Sequence, residues 1–305
     1  MAEEVNHQEV HDLLIEIAHR AGEMIISANP LVSTTSTKQN SADLVTETDQ
    51  AVEKFVFGKL KEKYPSYEYD APRFCEPQES YVPGKKLTDK PTFICDPIDG
   101  TVNFVMHPDA CINSMLIYDR FILSRTYTAI KNQGSYLSMP IRPSSPSSSE
   151  PIAPRKIRLP RKANPSPLEG LSKALVAIEW GSDRKGRNWA VKYETFAKLA
   201  AGPEEGGKMV HSLRSMGSAA LNFCAVAAGQ IDLYWEGGCW AWDVAAGWLI
   251  LTEAGGIVVD ANPGGWSPAI DGRRYMAVRA APAGQKEIVE EFWSIIPAGG
   301  YDYTC

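Results

Sequence analysis

The sequence predicts an α/β fold, and three observations carry that expectation. Apolar residues near the N-terminus recur at helical spacing, a short β-prone run at 92–95 feeds an acidic turn, and from residue 174 onward strand-like and helix-like segments alternate. At about 150 residues per domain, 305 residues make two domains or one large α/β unit with a sizeable core. The first element is a helix: Val10, Leu13, Leu14, Ile17, Ala18, Ala21 and Ile25 form one stripe, which stops before Asn29-Pro30. A second helix runs to Lys63. Thr46 is its expected N-cap, Val52, Phe55, Val56 and Leu60 share a face, and Pro65 forbids continuation. Thr92-Phe93-Ile94-Cys95 reads as a strand that delivers Asp96-Pro97-Ile98-Asp99-Gly100-Thr101 at its carboxyl end, where α/β proteins place ligands.

Between Ser138 and Leu168 the chain becomes rich in Pro and Ser, with Arg155, Lys156, Arg158, Arg161 and Lys162 interspersed. Without periodicity this reads as a solvated linker over 139–168, dividing the chain into halves 1–138 and 169–305. Alternation then resumes with a strand at Ala174–Glu179 and a short helix at Tyr193–Ala201. A small-residue helix follows at Ser218–Ala228, closed by Gly229, and then a strand at Ile231–Trp235. A helix at Trp242–Ala254 ends at Gly255-Gly256 and leads into a strand at Ile257–Asp260.

Composition removes several classes of function. With 44% hydrophobic and 22% charged residues, collagen, coiled coil and disordered tail are excluded. Lys plus Arg number 31 against 37 Asp plus Glu, a net charge of −6 without a long basic run, so no nucleic acid partner is expected. The longest apolar stretches, around Ala241–Leu251 and Leu221–Ala228, fall short of the roughly 20 residues that span a bilayer. No membrane partner is expected either. The acidic N-terminus is unlike a signal peptide, and the reading is a cytoplasmic protein. The six cysteines show no Cys-x-x-Cys spacing and read as buried free thiols.

Acidic side chains concentrate in three segments flanked by apolar residues: Asp43 to Asp49, Asp96 with Asp99, and Glu236 with Asp243. Any one of them is compatible with a cap or turn role. Together they imply a compensating cation, because carboxylates held against hydrophobic strands are costly alone. All-oxygen ligation favours Mg²⁺, and two such ions are a usual apparatus for attack on a phosphoryl group. Pro97 stiffens the turn that aims both aspartates, and the Gly100 and Thr101 amides, if they open a helix, offer donors to a phosphate. The metal chemistry needs no histidine base, so His107 and His211 are given no role.

The segment Asp96-Pro97-Ile98-Asp99-Gly100-Thr101-Val102-Asn103-Phe104 closely resembles the first signature of the inositol monophosphatase family. Trp240-Ala241-Trp242-Asp243-Val244-Ala245-Ala246-Gly247, followed by Glu253-Ala254-Gly255-Gly256, resembles the second, and Asp43–Asp49 is similar to a third family segment. The resemblance runs in order from the first helix to about Ala280, and Tyr234–Cys239 looks most like the fungal branch, including proteins of quinate-utilisation clusters.

The resemblance implies an αβαβα layered sandwich, an inositol-phosphate phosphatase that is usually homodimeric and inhibited by Li⁺, and Mg²⁺ as cofactor. It implies that Asp96 bridges two ions, that the Ile98 carbonyl holds the first, and that Asp99 and Asp243 hold the second. Thr101, hydrogen-bonded to Asp49, would orient and help deprotonate the water that attacks phosphorus in line. Gly100 and Thr101 amides would bind the phosphate, and Gly217, Ser218, Ala219 and Glu236 would line the pocket for the alcohol, with Glu236 accepting hydroxyls of a small phosphorylated polyol. The metal and phosphate site thus falls in the N-terminal half, and the polyol-binding residues with the last metal ligand in the C-terminal half.

Two departures stand out. The family's metal-binding Gly-Glu-Glu is replaced by a neighbourhood reading Tyr69-Asp-Ala-Pro-Arg-Phe-Cys-Glu-Pro-Gln-Glu-Ser80. Anchoring on Glu79-Ser80 puts Gln78 at the ligand position, with Glu79 or Glu76 as substitutes if the loop shifts; a neutral Gln would hold the ion more weakly. Between Asp119-Arg120 and Tyr127-Thr128, about one strand's length is missing relative to the family, which predicts a gap or unpaired edge in the first sheet. A misplaced splice boundary and a diverged paralogue would leave the same marks. The function expected is Mg²⁺-dependent hydrolysis of inositol monophosphate. The alternatives are a weakened pseudo-phosphatase with a regulatory role, or a nucleotide 3′-phosphatase or sugar bisphosphatase of the same superfamily.

Overall fold

The computed structural model describes residues 6–28, 36–37, 44–45, 47–70, 90–100, 112–113, 117–119, 125–139 and 154–303. Helix α1 (His7–Ser27) begins where the Asn6 side chain accepts the Glu9 N–H at 3.2 Å, and it buries Ile17, Ala18, Ala21 and Ile25, the stripe read from the sequence. Two short strands, β1 (Ser36–Thr37) and β2 (Leu44–Val45), pair antiparallel. Helix α2 (Glu47–Lys63) buries Val52, Val56 and Leu60, and on the same side Asp49 and Glu53. Thr46, its expected cap, lies outside the described residues.

Strands β3 (Glu68–Asp70) and β4 (Thr92–Ile94) pair in parallel, with Tyr69 opposite Phe93. Phe93 stacks on Tyr67 and Tyr69, and with Cys95 and Ile98 it joins the apolar faces of α1 and α2 in one buried cluster. That cluster anchors the end of β4 from which the acidic turn departs.

Strands β5 (Ile112–Asn113), β6 (Ile117–Asp119), β7 (Arg125–Ala129), β8 (Ser135–Met139) and β9 (Arg155–Arg158) form an antiparallel sheet in chain order. Two expectations change here. The ladder between β6 and β7 is continuous, with Ile117 opposite Tyr127 and Asp119 opposite Arg125, so no gap opens between these strands. Strand β9 falls inside the stretch read as linker: Arg155 pairs with Met139 and Arg158 with Tyr136. Its mostly exposed side chains carry no apolar alternation, and its place in the sheet comes from backbone pairing.

The second sheet contains β10 (Leu175–Ile178), β11 (Ser212–Arg214), β12 (Leu233–Gly237), β13 (Ile257–Val259) and β14 (Arg274–Val278), ordered β11-β10-β12-β14-β13. Strand β10 is parallel to both neighbours, and β14 is antiparallel to both of its own. Helix α3 (Gly186–Ala200) starts two turns earlier than the sequence predicts; α4 (Ala219–Ala227) and α5 (Ala241–Glu253) match their predicted spans closely, and α6 (Gln285–Trp293) completes the set described.

Alternation along β12 sets the layering. Leu233 and Trp235 face a core shared with Val191 and Leu199 of α3 and Ile288 and Phe292 of α6. Tyr234 faces the opposite core, where Phe223 of α4 and Val244 of α5 meet Tyr127 and Leu137 of the first sheet. The layers are therefore α1–α2, first sheet, α4–α5, second sheet and α3–α6, the expected αβαβα order. Glu253, at the end of α5, accepts the Asn132 and Gly134 N–H groups of the β7–β8 turn at 2.7 and 2.8 Å, tying the central helices to the first sheet. Among the described residues no helix is long and apolar enough to cross a membrane.

Candidate active site

The end of β4 delivers two carboxylates into the interior. Asp96 and Asp99 are each only 8% exposed, and the Ile98 N–H donates to Asp96 Oδ1 at 3.0 Å, closing a tight turn whose Ile98 side chain is itself buried. Gly100 follows at φ +85°, a backbone setting that favours glycine. The third carboxylate comes from the first turn of α5, where Asp243 accepts the Trp240 N–H at 2.6 Å. One carboxylate oxygen from each of Asp96, Asp99 and Asp243 lies within 4.8 Å of the others.

Asp99 also sits on the N-terminus of α4. Its Oδ2 accepts the Ser218 hydroxyl at 2.7 Å and the Ala220 N–H at 2.8 Å. Even so, burial and the neighbouring Asp96 push its carboxyl up to about 8. Burial and Asp99 likewise push Asp243 up to about 7, against the Trp240 N–H that favours the charged form. A cluster that raises its own carboxyl groups despite these hydrogen-bond donors is short of positive charge, and the ligand atoms it offers are all carboxylate oxygens. These residues therefore fit a hard divalent cation such as Mg²⁺.

Asp49 is 1% exposed on α2, and Glu53, one turn further, is 5% exposed. The Cys95 thiol, buried beside them, is pushed up by burial and by both Asp96 and Glu53, which places the acidic side of α2 against the end of β4. The predicted residues Thr101 and Glu79 lie outside the described residues, as do Gln78 and Glu76.

On the opposite side of the site, Glu236 stands near the end of β12 with 7% exposure and accepts the Tyr234 hydroxyl. Burial and Glu179 push it up to about 7. Gly217, at φ +70°, is exposed, while Ala219 is buried. Ser218, expected to line a pocket, is 3% exposed, and its hydroxyl joins Asp99 to the first turn of α4.

Glu179 was not singled out from the sequence. At the carboxyl end of β10 it accepts the Met216 and Gly217 N–H groups, the latter at 2.9 Å, and the Asn222 side chain at 2.8 Å, fixing the loop that leads into Ser218. An acidic residue following the apolar run Leu175–Ile178 was the available signal. The predicted cysteine chemistry agrees where described: Cys95, Cys224 and Cys239 are buried free thiols.

The inositol monophosphatase family profile matches residues 6–297. The chain is 38% identical to inositol monophosphatase 2 of Saccharomyces cerevisiae over 87% of its length and 86% of that protein. It is 32% identical to quinic acid degradation cluster protein x of Neurospora crassa, over 97% of this chain and 95% of that one. Both are fungal relatives, in line with the wording of Tyr234–Cys239. Among solved structures, inositol monophosphatase from Anabaena superposes with a TM-score of 0.67 at 22% identity, covering 97% of this chain and all of that one, a likeness of fold.

Proposed function

The chain belongs to the inositol monophosphatase family, and from that premise we propose that it hydrolyses the phosphate monoester of a small polyol, inositol monophosphate first, with Mg²⁺ as cofactor. The observation that carries the reading is the convergence of Asp96, Asp99 and Asp243 carboxylate oxygens within 4.8 Å in a buried, charge-deficient site. In this proposal these three, with the Ile98 carbonyl, hold the metal, and Glu79 contributes from the loop outside the described residues. Bound there, the ion would neutralise phosphoryl oxygens and lower the pKa of the attacking water.

The chain's own groups would do the rest. Thr101, paired with the buried Asp49, orients the water and takes part in removing its proton. The Gly100 and Thr101 N–H groups donate to phosphate oxygens, and α4 holds Asp99 through Ser218 and the Ala220 N–H. Gly217, Ser218 and Ala219 line the alcohol side, and Glu236 accepts polyol hydroxyls. Sensitivity to Li⁺ and a homodimeric state extend the proposal along the family resemblance.

One sequence observation favours a second reading: with Gln78 where the family carries a glutamate, the chain would be a weakened phosphatase that binds metal or phosphate. Phosphate release from inositol 1-phosphate, with and without Mg²⁺, separates the two. Mg²⁺-dependent release abolished by Asp96→Asn is the expected result. A folded protein without turnover that regains it in Gln78→Glu overturns the first reading in favour of the second.

A further inference from the structure

Lys192 is fully buried on α3, and neither a cap nor a surface role explains it. Its ammonium donates to the Trp180 carbonyl at 2.8 Å and lies 3.8 Å from Asp183 Oδ2. What it faces is defined by Gly181, at φ +55°. A Cβ there would stand 2.9 Å from Lys192 Nζ and 3.6 Å from Glu236 Oε1, so the glycine keeps open the gap across which ammonium and carboxylate face each other without a direct ion pair, the direct pair of Lys192 being Asp183.

The segment 300–303 walls this gap from behind. Asn262 donates to the Tyr301 carbonyl at 2.9 Å and accepts the Tyr301 N–H at 2.8 Å; Asn188 treats Asp302 the same way, at 3.0 and 2.8 Å. Arg187 adds a donor to the Gly300 carbonyl at 3.0 Å. So fixed, the Tyr301 ring stacks on Trp235 and lies 5.8 Å from Lys192 Nζ, while the Tyr303 hydroxyl lies within hydrogen-bonding reach of both Asp183 and the carbonyl of Gly237, the residue after Glu236, its one proton shared between these acceptors. No side chain fits at Gly237, where a Cβ would come within 2.7 Å of both tyrosine rings.

We propose that Lys192 is a positioning residue for Glu236: its ammonium, enclosed by the 300–303 segment, faces the Glu236 carboxylate across the Gly181 gap and keeps it the hydrogen-bond acceptor that a polyol's hydroxyls require. The proposal rests on the reading of Glu236 as the hydroxyl acceptor. The groups facing Glu236 pull in opposite senses. Burial and Glu179 favour its neutral form, whereas the Tyr234 hydroxyl, Lys192 and the Cys239 thiol favour the carboxylate. Asp99 and Asp243 feel its charge from the metal side, Cys239 from its own turn, and Tyr301 and Tyr303 from the strap. Burial lowers Lys192 itself, and Glu236 and Asp183 resist that. Without the ammonium, Glu236 would shift toward a protonated acid, which donates where the substrate needs an acceptor.

The test compares wild type, Lys192→Met, Glu236→Gln and the double variant. In Lys192→Met, KM for inositol 1-phosphate is expected to rise about tenfold with kcat within about twofold, and the acid limb of the affinity profile to move up by about one pH unit. The Glu236 carboxyl signal, followed by ¹³C NMR and assigned from Glu236→Gln, should move by the same amount. Adding Lys192→Met to Glu236→Gln should change KM no further. An unmoved carboxyl titration, or fully additive KM effects, overturns the proposal. Should Lys192→Met fail to fold, Lys192→Gln keeps the donor to Trp180 without the charge and carries the same measurements. The titration needs no turnover, so a wild-type chain that releases no phosphate overturns the phosphatase reading, while the titration separately decides whether Lys192 sets the charge of Glu236.

Discussion

The Ser218 hydroxyl donates to Asp99 Oδ2 at 2.7 Å while its oxygen accepts the Leu221 N–H at 3.1 Å, so one atom both caps α4 and orients a carboxylate of the proposed metal site. Removing it in Ser218→Ala withdraws the cap, worth about 1 kcal/mol, and leaves Asp99 one donor short, for a combined loss of roughly 2 kcal/mol in urea unfolding. Because the hydroxyl supports a ligand, Mg²⁺ affinity should fall about tenfold or more. Calorimetric titration checks this, and lost stability with unchanged affinity would reduce Ser218 to a cap.

The raised carboxyl groups predict how metal and pH are linked. Asp99, at about 8 against 3.8 unfolded, and Asp243, at about 7, cost the metal-free fold stability as pH rises: nothing below the unfolded value, and the full penalty above about 8. A cation relieves that penalty. The rise in Tm on adding Mg²⁺ should therefore be larger at pH 8 than at pH 6, and binding at pH 7 should release on the order of one proton. Calorimetry in two buffers of different ionisation enthalpy measures the release. A Tm increment independent of pH contradicts the picture.

Glu179 supplies a change of the opposite sign to that at Lys192. Its charge disfavours the Glu236 carboxylate, while its oxygen holds the Met216 and Gly217 N–H groups. Glu179→Gln keeps a carbonyl acceptor and removes the charge, so the Glu236 titration should move down, with a stability loss of no more than about 1–2 kcal/mol. An upward move would mean that Glu179 acts on Glu236 through the loop geometry rather than through its charge.

What the sequence made legible follows from where its signals are strong. Helix α1 was readable because one apolar stripe is enough to specify a helix face, Asp96 and Asp99 because turn formers surround them, and Asp243 through the family resemblance of Trp240–Gly247. Strand β9 was not, since an exposed strand of Arg and Lys carries no alternation and is held by backbone pairing. Lys192 and Glu179 escaped for a related reason. A charged residue reads as solvated until the fold shows what surrounds it, and Lys192 falls in the first part of α3, before the apolar periodicity that marked the helix from Tyr193.

Gly247 tests the packing that holds the site's two helices together. In an exposed helix interior, Gly→Ala would stabilise by about 0.5–1 kcal/mol, because alanine restricts the unfolded chain. Gly247 lies instead where α5 crosses α4, and a Cβ would stand 2.5 Å from Phe223 Cβ and 2.9 Å from its Cγ. Phe223 is fully buried and packs edge-on against Tyr234, so it cannot retreat cheaply. The helices must separate, and Gly247→Ala should destabilise by about 1–3 kcal/mol, the cost of overpacking exceeding the propensity gain. Separation also moves α4, which carries Ser218 and the Ala220 N–H, away from α5, which carries Asp243, so Mg²⁺ affinity should weaken along with stability. Urea unfolding and metal titration of one variant check both, and a stabilised Gly247→Ala protein would show that this contact is looser than the geometry implies.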